Sequence, residues 1–335
     1  MGVNLKDLLI RRPVTLEELG GKTLVVDGYN MLYQFLTTIR SRDGSVLTNH
    51  KGEVTSHLIG LFSRVTALTQ KNIRLAFVFD GMVPELKHQE LAKRAEAKKD
   101  AQKKYEAALA AGDQESMSKY AGRTSRLTKE MVVQAKQLLT FLGIPHIQAP
   151  SEGEAQAAFM VKQGHAWAVS SQDYDSLLFG APRLVQNLSI EGKRKIPGKF
   201  AYKTVEPLLL DLQENLAKLE LSQDQLIWLG ILVGTDYAPG GVKGIGPKKG
   251  LALVKQHASA ESLFDSIPVE FAWSEVLDVF KRMPVTDTYK LHWEKVDRQG
   301  ITDFLVKEHD FSLERVEKVL DAIAPAKAQS TLGDF

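Results

Sequence analysis

The sequence predicts an α/β fold with a central, mostly parallel β-sheet flanked by helices. Short apolar runs with the composition of buried strands alternate with helix-like segments over the first half of the chain. Acidic residues directly or closely follow three of those runs. With 335 residues, of which 44% are hydrophobic, the chain is long enough to bury a large core.

Periodicity and boundary residues predict the strands and helices along the chain. The strand-like runs are TLVVD (23–27), LAFVFD (75–80) and AWAVSS (166–171), with weaker signals at LVQNLSI (184–190) and KFAYKTV (199–205). Helical spacing covers 30–39, 56–70, 131–143 and 154–164, and the last two end at Gly143 and Gly164. After residue 220 the pattern is helical, with a glycine-rich interruption at 240–250.

Residues 81–125 interrupt the strand–helix alternation. Between Leu86 and Glu106 there are seven Lys or Arg and four Asp or Glu, with too little apolar content for a core-facing stripe. Two interpretations remain open: a solvated surface helix, or a mobile element that folds over an anionic ligand.

Seven acidic residues form the most informative pattern in the chain. They are Asp27, Asp80, Glu152, Glu154, Asp173, Asp175 and Asp236. Because the carboxyl ends of parallel strands share one edge of a sheet, we expect these acids to converge. At about 5 Å and an effective dielectric constant near 20, each pair of carboxylates repels by about 3 kcal/mol. Such a cluster is tolerable only if acids are protonated or hold cations, and the number of acids favours divalent cations. The pattern is typical of metal-dependent phosphoryl transfer.

The acids also have structural explanations when they are taken singly. Asp27 and Asp80 each precede a glycine, and Asp-Gly is a common turn dipeptide. Ser151-x-x-Glu154 has the spacing of a helix capping box, and Asp173-Tyr174-Asp175 is compatible with a surface turn. No histidine stands in a metal-ligand motif and there is no cysteine, so a metal site here would use oxygen ligands, which suit Mg²⁺ or Mn²⁺.

A glycine-rich segment at 240–249 separates two helical runs. It matches neither the Walker loop nor the GxGxxG pattern, and it looks like a helix–hairpin–helix. Gly244 and Gly246 would let backbone amides approach a phosphate, and Lys243, Lys248 and Lys249 add positive charge. An ordinary turn between helices would need fewer glycines.

Net charge and the lengths of the apolar runs limit the class of protein further. The net charge of +2 is too small to indicate nucleic-acid binding without local patterning. No apolar run approaches the ~18 residues of a membrane span, and the start of the chain lacks a signal-peptide core. We therefore expect a soluble intracellular protein that does not associate with membranes.

These motifs together resemble the structure-specific 5′ nucleases, most closely the archaeal flap endonucleases. The resemblance runs nearly from end to end, through MGVNLKDLL, VVDGYNMLYQFL, VFDGMVPELK, GIPHIQAPSEGEAQAAFM, SSQDYDSLLFG, LVGTDY and GVKGIGPKKGLALV. It implies a saddle-shaped nuclease domain of the PIN type over residues 1–324. Within that domain it implies a helical arch at about 81–130 and a helix–hairpin–helix at about 225–257, and after it a flexible clamp-binding tail at 325–335.

The resemblance also implies the activity and the roles of individual residues. All seven acids match the carboxylates that bind two Mg²⁺ ions, for which Mn²⁺ substitutes, and the reaction is hydrolysis of DNA at 5′ flaps in lagging-strand maturation and repair. Lys87 and Arg94 match the arch cations that act on the scissile phosphate. The residues implied to contact DNA are Tyr33, Thr55, Lys243, Gly244, Gly246, Lys248 and Lys249, with K⁺ at the hairpin.

The implied partners are DNA with a 5′ flap and a sliding clamp. Gln329, Leu332 and Phe335 resemble a clamp-binding box that ends after one aromatic residue, whereas the fuller pattern often has two. The implied protein is a monomer in the cytoplasm or nucleoid of an archaeon. Two rival functions remain: a ribonuclease of the related PIN type, and a non-catalytic DNA-junction adaptor bound to the clamp.

Overall fold

The computed structural model describes residues 2–41, 44–190, 192–195 and 202–324. The predicted tail residues Gln329, Leu332 and Phe335 lie outside these ranges. Within them, the strands are β1 Arg12–Pro13, β2 Thr23–Asp27, β3 Arg74–Phe79, β4 His146–Gln148, β5 Ala168–Ser170, β6 Arg183–Gln186, β7 Gly192–Lys195, β8 Tyr202–Val205 and β9 Leu208–Asp211.

The strands form one large sheet and one separate hairpin. The large sheet has seven strands in the order β1-β9-β6-β5-β2-β3-β4, and β7 pairs with β8 alone. Neighbouring strands from β6 to β4 run parallel, whereas β9 is antiparallel to β6, and β1 to β9. The prediction of a central, mostly parallel sheet is confirmed.

Helices account for most of the remaining described residues. They are α1 Gly28–Thr38, α2 Ser56–Gln70, α3 His88–Ala110, α4 Gln114–Ala121, α5 Lys129–Phe141, α6 Gly153–Lys162, α7 Asp175–Leu178, α8 Leu212–Leu219, α9 Gln223–Val233, α10 Pro247–Gln256, α11 Ala260–Asp265, α12 Trp273–Arg282, α13 Arg298–Thr302 and α14 Leu313–Ile323. Shorter helical turns lie at Glu85–Lys87, Gly122–Thr124, Leu188–Ile190 and Asp303–Glu308. Among the helices described, none combines the length and the apolar character needed to cross a membrane.

The central sheet is buried on both faces. Along β2, Leu24 and Val26 belong to one apolar core, whereas Val25 belongs to another. This follows from the alternation of side chains along a strand. Burial on both faces explains why the central strands are continuous apolar runs rather than alternating ones.

Two weaker strand predictions were resolved by the fold. The predicted strand 184–190 is too long: β6 ends at Gln186, because Asn187 adopts a left-handed backbone (φ 64°) and a 3-10 turn follows. The predicted strand in KFAYKTV is confirmed over Tyr202–Val205, and its partner β7 was not predicted. The edge strands β1 and β4 and the strand β9 beside β1 also escaped prediction because they are two to four residues long.

The glycines after Asp27 and Asp80 are required by close packing rather than by an unusual backbone. A Cβ at Gly28 would lie 2.7 Å from the ring of Phe79. A Cβ at Gly81 would lie 2.1 Å from the carbonyl oxygen of Ala149. Neither glycine has a positive φ. Close packing against neighbouring atoms therefore explains why glycine stands at these two positions.

A buried hydrogen-bond chain joins α2, α5 and the segment before α14. His57 Nε2 lies 3.0 Å from Gln134 Oε1, Gln134 Nε2 lies 3.2 Å from His309 Nε2, and His309 Nδ1 lies 2.8 Å from the Phe304 carbonyl oxygen. His309 therefore donates to Phe304 and accepts from Gln134, so His57 donates to Gln134. His57 Nδ1 is buried without a partner among the described residues.

His57 is expected to destabilise the fold at acidic pH. Burial lowers the pKa of His57 to about 4 from the usual 6.5. Between these values the unfolded chain binds a proton that the folded chain does not, so stability is lost as the pH falls from 6.5 to 4. The full loss is about 3 kcal/mol.

The measurement is urea unfolding at pH 7 and pH 4.5 for the wild type and for His57→Gln, whose amide can still donate to Gln134. We expect the wild type to lose more stability than the variant over this interval. The exposed His88→Gln serves as the control. Equal losses for the wild type and His57→Gln would show that His57 does not titrate in this range.

Candidate active site

Four of the seven predicted acids lie at the carboxyl edge of three adjacent strands. Asp27 is the last residue of β2, and Asp80 directly follows β3. Asp173 and Asp175 follow β5, and Asp175 is the first residue of α7. Because the sheet order places β5, β2 and β3 side by side, these acids meet at one edge of the sheet.

Glu152 and Glu154 reach the same edge from the start of α6. The predicted capping box at Ser151 is absent: Glu152 occupies the N-cap position, and no side chain caps the helix. The Ser151 hydroxyl instead donates to the carbonyl oxygen of Met82 at 2.8 Å. Helix capping therefore does not explain the two glutamates.

Most of the acids line a single cavity of about 1,020 Å³ under α3. Asp236 enters it from the loop after α9, and Asp27 lies behind it and is buried. The acids that line the cavity are Asp80, Glu152, Glu154, Asp173, Asp175 and Asp236.

Backbone amides hold several carboxylates in place. Asp27 accepts a hydrogen bond from the Asn30 amide at 3.0 Å and caps α1. Asp80 accepts from the Gly153 amide at 2.7 Å, and Asp175 accepts from the Val3 amide at 2.7 Å. These contacts tie the N-terminal segment and α6 to the sheet edge.

The cluster holds more negative charge than its protein partners neutralise. Burial, followed by the charges of Asp80 and Asp173, raises the pKa of Asp27 to about 8. Burial raises the pKa of Asp175 to about 7, with Asp236 contributing. Burial and the charge of Asp175 raise the pKa of Glu154 well above its usual value. Burial is the first cause of all three shifts, and the charge of Lys87 offsets only part of the shift for Glu154 and Asp175.

Two basic residues from the polar segment enter the cluster. Lys87 Nζ lies 2.6 Å from Glu152 Oε2 and 3.4 Å from Asp236 Oδ2, and the Lys87 side chain is only 15% exposed. Arg94 pairs with Asp236 and, at 2.8 Å, with Glu90. Because Lys87 and Arg94 lie seven residues apart, about two helical turns, they point to the same side. The interpretation of this segment as a wholly solvated helix is therefore wrong.

The donor set fits divalent metal ions with oxygen ligands. Across residues 2–41, 44–190, 192–195 and 202–324, the side chains are not yet arranged for binding: no group of three or more acidic or histidine side chains lies close enough to hold one metal ion. Lys87 and Arg94 occupy oxygens of Glu152 and Asp236 that such ions would need. Seven carboxylates face two cations, so the cluster retains the charge that hard ions such as Mg²⁺ would balance.

Tyr33 and Thr55 occupy different environments. Tyr33 lines the cavity, where Lys98 Nζ lies 2.7 Å from its hydroxyl and 4.7 Å from its ring centroid. Thr55 is 3% exposed at the start of α2, and its amide donates to the Leu47 carbonyl oxygen. A nucleotide near Thr55 would therefore meet the surrounding loop before the threonine side chain.

The glycine-rich segment joins α9 to α10 as an exposed loop on two apolar anchors. Val242 and Ile245 are buried, and Gly244 has a left-handed backbone with φ 78°. A Cβ at Gly244 or Gly246 would have open space around it, so the backbone is accessible there. The predicted basic residues are all exposed: Lys243 in the loop, and Lys248 and Lys249 in the first turn of α10.

Three site residues were missed by the sequence analysis. Asn30 Nδ2 donates to Asp173 at 3.0 Å, and the Ser171 hydroxyl lies 3.3 Å from Asp27 and 3.2 Å from Glu154. Lys98 is the third, through Tyr33. A signal existed for Asn30, because it lies one helical turn after a strand-end aspartate. Ser171 and Lys98 contact residues far away in the sequence, so no local pattern indicates their roles.

Comparison with known proteins places the chain in a family. Residues 1–101 match the XPG N-terminal domain and residues 143–236 match the XPG I-region. Flap endonuclease 1 of Staphylothermus marinus is 50% identical, over 97% of this chain and 95% of the relative. The structure of flap endonuclease-1 from Methanococcus jannaschii superposes with a TM-score of 0.77 at 43% identity, covering 96% of this chain and 98% of that one.

A more distant structure shares the fold in a DNA complex. The catalytic core of Rad2 in complex with DNA substrate superposes with a TM-score of 0.71 at 25% identity, over 96% of this chain and all of that one. Nucleases of the flap endonuclease and XPG type depend on metal ions. The strand-end acids, the end-to-end identity and the shared fold lead to one conclusion: the chain belongs to the flap endonuclease 1 family of XPG-type nucleases.

Proposed function

We propose that this protein is a metal-dependent, structure-specific endonuclease that removes 5′ flaps from DNA during lagging-strand maturation and repair. The observation that carries the proposal is the cluster of seven acids under the cavity and the two basic residues that reach into it. A protein that only binds DNA would gain nothing from this electrostatic repulsion.

The acids are proposed to hold two Mg²⁺ ions, with Mn²⁺ as a substitute. When bound, such ions activate water and stabilise the leaving oxygen of a phosphodiester. The ligands, direct or through water, are Asp27, Asp80, Glu152, Glu154, Asp173, Asp175 and Asp236. Asn30 and Ser171 position Asp27, Asp173 and Glu154 through their hydrogen bonds. The products would carry 5′-phosphate and 3′-hydroxyl ends.

The arch cations are proposed to exchange partners when the substrate binds. Lys87 pairs with Glu152, and Arg94 pairs with Asp236. If those two carboxylates served as metal ligands, Lys87 and Arg94 would be available to the scissile phosphate and its developing charge. Tyr33 would stack on a nucleotide at the cavity wall, and Lys98 holds its ring.

The hairpin between α9 and α10 is proposed to grip the duplex backbone, with K⁺ bound at the loop. Helix α10 begins after Gly246 with Pro247 in its first turn, and no side chain caps the backbone amides of that turn. Such amides can bind a phosphate. Lys243, Lys248 and Lys249 would contact phosphates. The loop around Thr55 is proposed to receive a one-nucleotide 3′ flap.

Lys248→Ala is expected to weaken duplex binding and to reduce its salt dependence. Loss of one phosphate contact should lower the slope of log K against log salt by about 0.9. The measurement is fluorescence anisotropy of a labelled flap duplex in Ca²⁺ at salt concentrations between about 50 and 200 mM. Over this range the affinity of phosphate-contacting proteins for DNA depends strongly on salt. Lys255→Ala, on the same helix and paired with Glu220, is the matched control. An unchanged slope for Lys248→Ala would show that Lys248 does not contact a phosphate and that the duplex binds at another surface.

The remaining assignments concern partners. We propose that the protein acts as a monomer inside the cell of an archaeon, and that Gln329, Leu332 and Phe335 bind a sliding clamp. The proposed division is a nuclease domain at residues 1–324 and a clamp-binding tail at 325–335. Deleting 325–335 would remove clamp stimulation without changing cleavage in the absence of the clamp.

Cleavage of a 5′-labelled flap duplex with and without Mg²⁺ tests the function. A matched 3′ flap, an RNA flap and a plain single strand serve as comparison substrates. We expect Mg²⁺-dependent cutting near the 5′-flap junction alone. Cutting of single strands or RNA at many positions would favour the PIN-type ribonuclease, and binding without cutting would favour the junction adaptor.

A further inference from the structure

A second cavity lies at the opposite edge of the sheet from the acids. It has a volume of about 760 Å³, within the roughly 300–1,000 Å³ range of small-molecule sites. Its floor is the amino-terminal end of β2 and β3, and the segment 289–293 forms one wall. Along β2 the distance from Thr23 to Asp27 is four residue steps, about 13 Å. The cavity is therefore separate from the proposed nuclease site.

The charge of this second cavity is positive. Lys22, Arg74 and Arg183 line it, and its lining includes no aspartate or glutamate. Arg183 Nε lies 3.8 Å from Asp211. Among the described residues neither Lys22 nor Arg74 forms an ion pair. Two cations thus face the cavity without an acidic partner there.

The cavity also has aromatic walls that are held in place. Lys22 Nζ lies 5.6 Å and Arg183 Cζ lies 5.3 Å from the Trp167 ring centroid, and Arg74 Cζ lies 5.6 Å from that of Trp293. Trp293 Nε1 donates to the Leu75 carbonyl oxygen at 2.8 Å. These contacts constrain the rings of Trp167 and Trp293.

Main-chain bonds make the floor rigid. The Arg74 amide donates to the Lys22 carbonyl oxygen at 2.9 Å, and the Trp167 amide donates to the Thr23 carbonyl oxygen at 2.8 Å. Tyr289 Oη lies 2.6 Å from His165 Nδ1, which ties the outer wall to the end of α6. A preformed site loses little entropy on binding.

We propose that this second cavity binds a nucleoside phosphate, with the phosphate on Lys22 and Arg74 and the base against Tyr289 or Trp293. Cations beside aromatic faces are the combination that single-stranded nucleic acids and nucleotides use. Two kinds of ligand have this chemistry: a free mononucleotide, and a nucleotide within a single strand. This site goes beyond the proposed nuclease function and does not depend on it.

The test is quenching of tryptophan fluorescence in EDTA by adenosine 5′-monophosphate, inorganic phosphate, adenosine and a ten-residue oligothymidylate. We expect saturable quenching by the monophosphate that disappears when Trp167 and Trp293 are both replaced by phenylalanine. Lys22→Ala and Arg74→Ala should each weaken binding about tenfold, because each removes a charge-assisted contact. Lys318→Ala, an exposed lysine on α14, should leave binding unchanged.

The comparison of ligands distinguishes the sources. Tighter binding of the oligothymidylate than of the monophosphate, lost in Arg74→Ala, would assign the site to a single strand. Equal or weaker binding of the oligothymidylate would assign it to free nucleotides. The proposal is overturned if the monophosphate does not quench, if Lys22→Ala and Arg74→Ala bind like Lys318→Ala, or if phosphate alone or adenosine alone binds as tightly as the monophosphate. Circular dichroism verifies that each variant is folded.

Discussion

Asp175→Ala is expected to reduce the single-turnover rate of flap cleavage by at least about a thousandfold, because it removes charge stabilisation at the reacting phosphate. Binding of the flap duplex should stay near the wild-type value. The Asp175 carboxylate is buried at the sheet edge and accepts the Val3 amide. Burial, with the charges of Asp236 and Asp173, raises its pKa to about 7, so a bound cation would favour its ionised form.

The measurement separates chemistry from binding and from folding. Rapid-quench cleavage with enzyme in excess gives the rate, and anisotropy in Ca²⁺ gives the affinity. Asp175→Asn keeps an acceptor for Val3 and should fold normally while it remains slow, and it should require more Mg²⁺ than the wild type. Asp278→Ala, an exposed acid on α12, is the control. Parallel loss of affinity and rate, or a fast Asp175→Asn variant, would count against a metal ligand.

Lys87→Ala and Arg94→Ala are each expected to slow the single-turnover step by roughly a hundredfold or more, because each removes a preorganised cation from the developing charge. The affinity for the flap duplex should change much less. Lys93→Ala, on the same helix but exposed, should cleave at the wild-type rate. A rate for Arg94→Ala equal to that of Lys93→Ala would show that Arg94 pairs with Glu90 and Asp236 but does not act in cleavage.

Lys87→Ala should also have a structural signature. In EDTA it leaves the buried Glu152 without its 2.6 Å partner, so the variant should melt at a lower temperature than the wild type. Mg²⁺ should restore much of that loss if the ions and the lysine serve the same carboxylates. A melting temperature in EDTA equal to that of the wild type would mean that Glu152 is not ionised beside Lys87.

Much of the fold and of the acid cluster was predictable from local sequence. Continuous apolar runs indicate strands buried on both faces, and the parallel arrangement places their carboxyl ends at one edge. From this rule alone, Asp27, Asp80, Asp173 and Asp175 are expected to lie together. The glycine-rich loop was equally visible, because Gly244 has a backbone conformation that few other residues adopt.

Other features depend on segments far apart in the chain. The pairing of Lys87 with Glu152 and the burial of Thr55 have no local signal. Ser151 has the spacing of a capping box, yet its hydroxyl bonds to Met82 because the loop after β3 lies against it. Tertiary contacts replaced the local preference at that point.

The sheet, the strand-end acids, the polar helical segment and the hairpin follow from local sequence, because each depends on the period or the composition of neighbouring residues. The pairing of each cation with its carboxylate, and the second cavity, arise only from contacts between distant segments. That cavity is assembled from the amino-terminal ends of β2 and β3, the turn after α6 and the segment 289–293. No local pattern encodes such a site, since its walls meet only when the chain is folded.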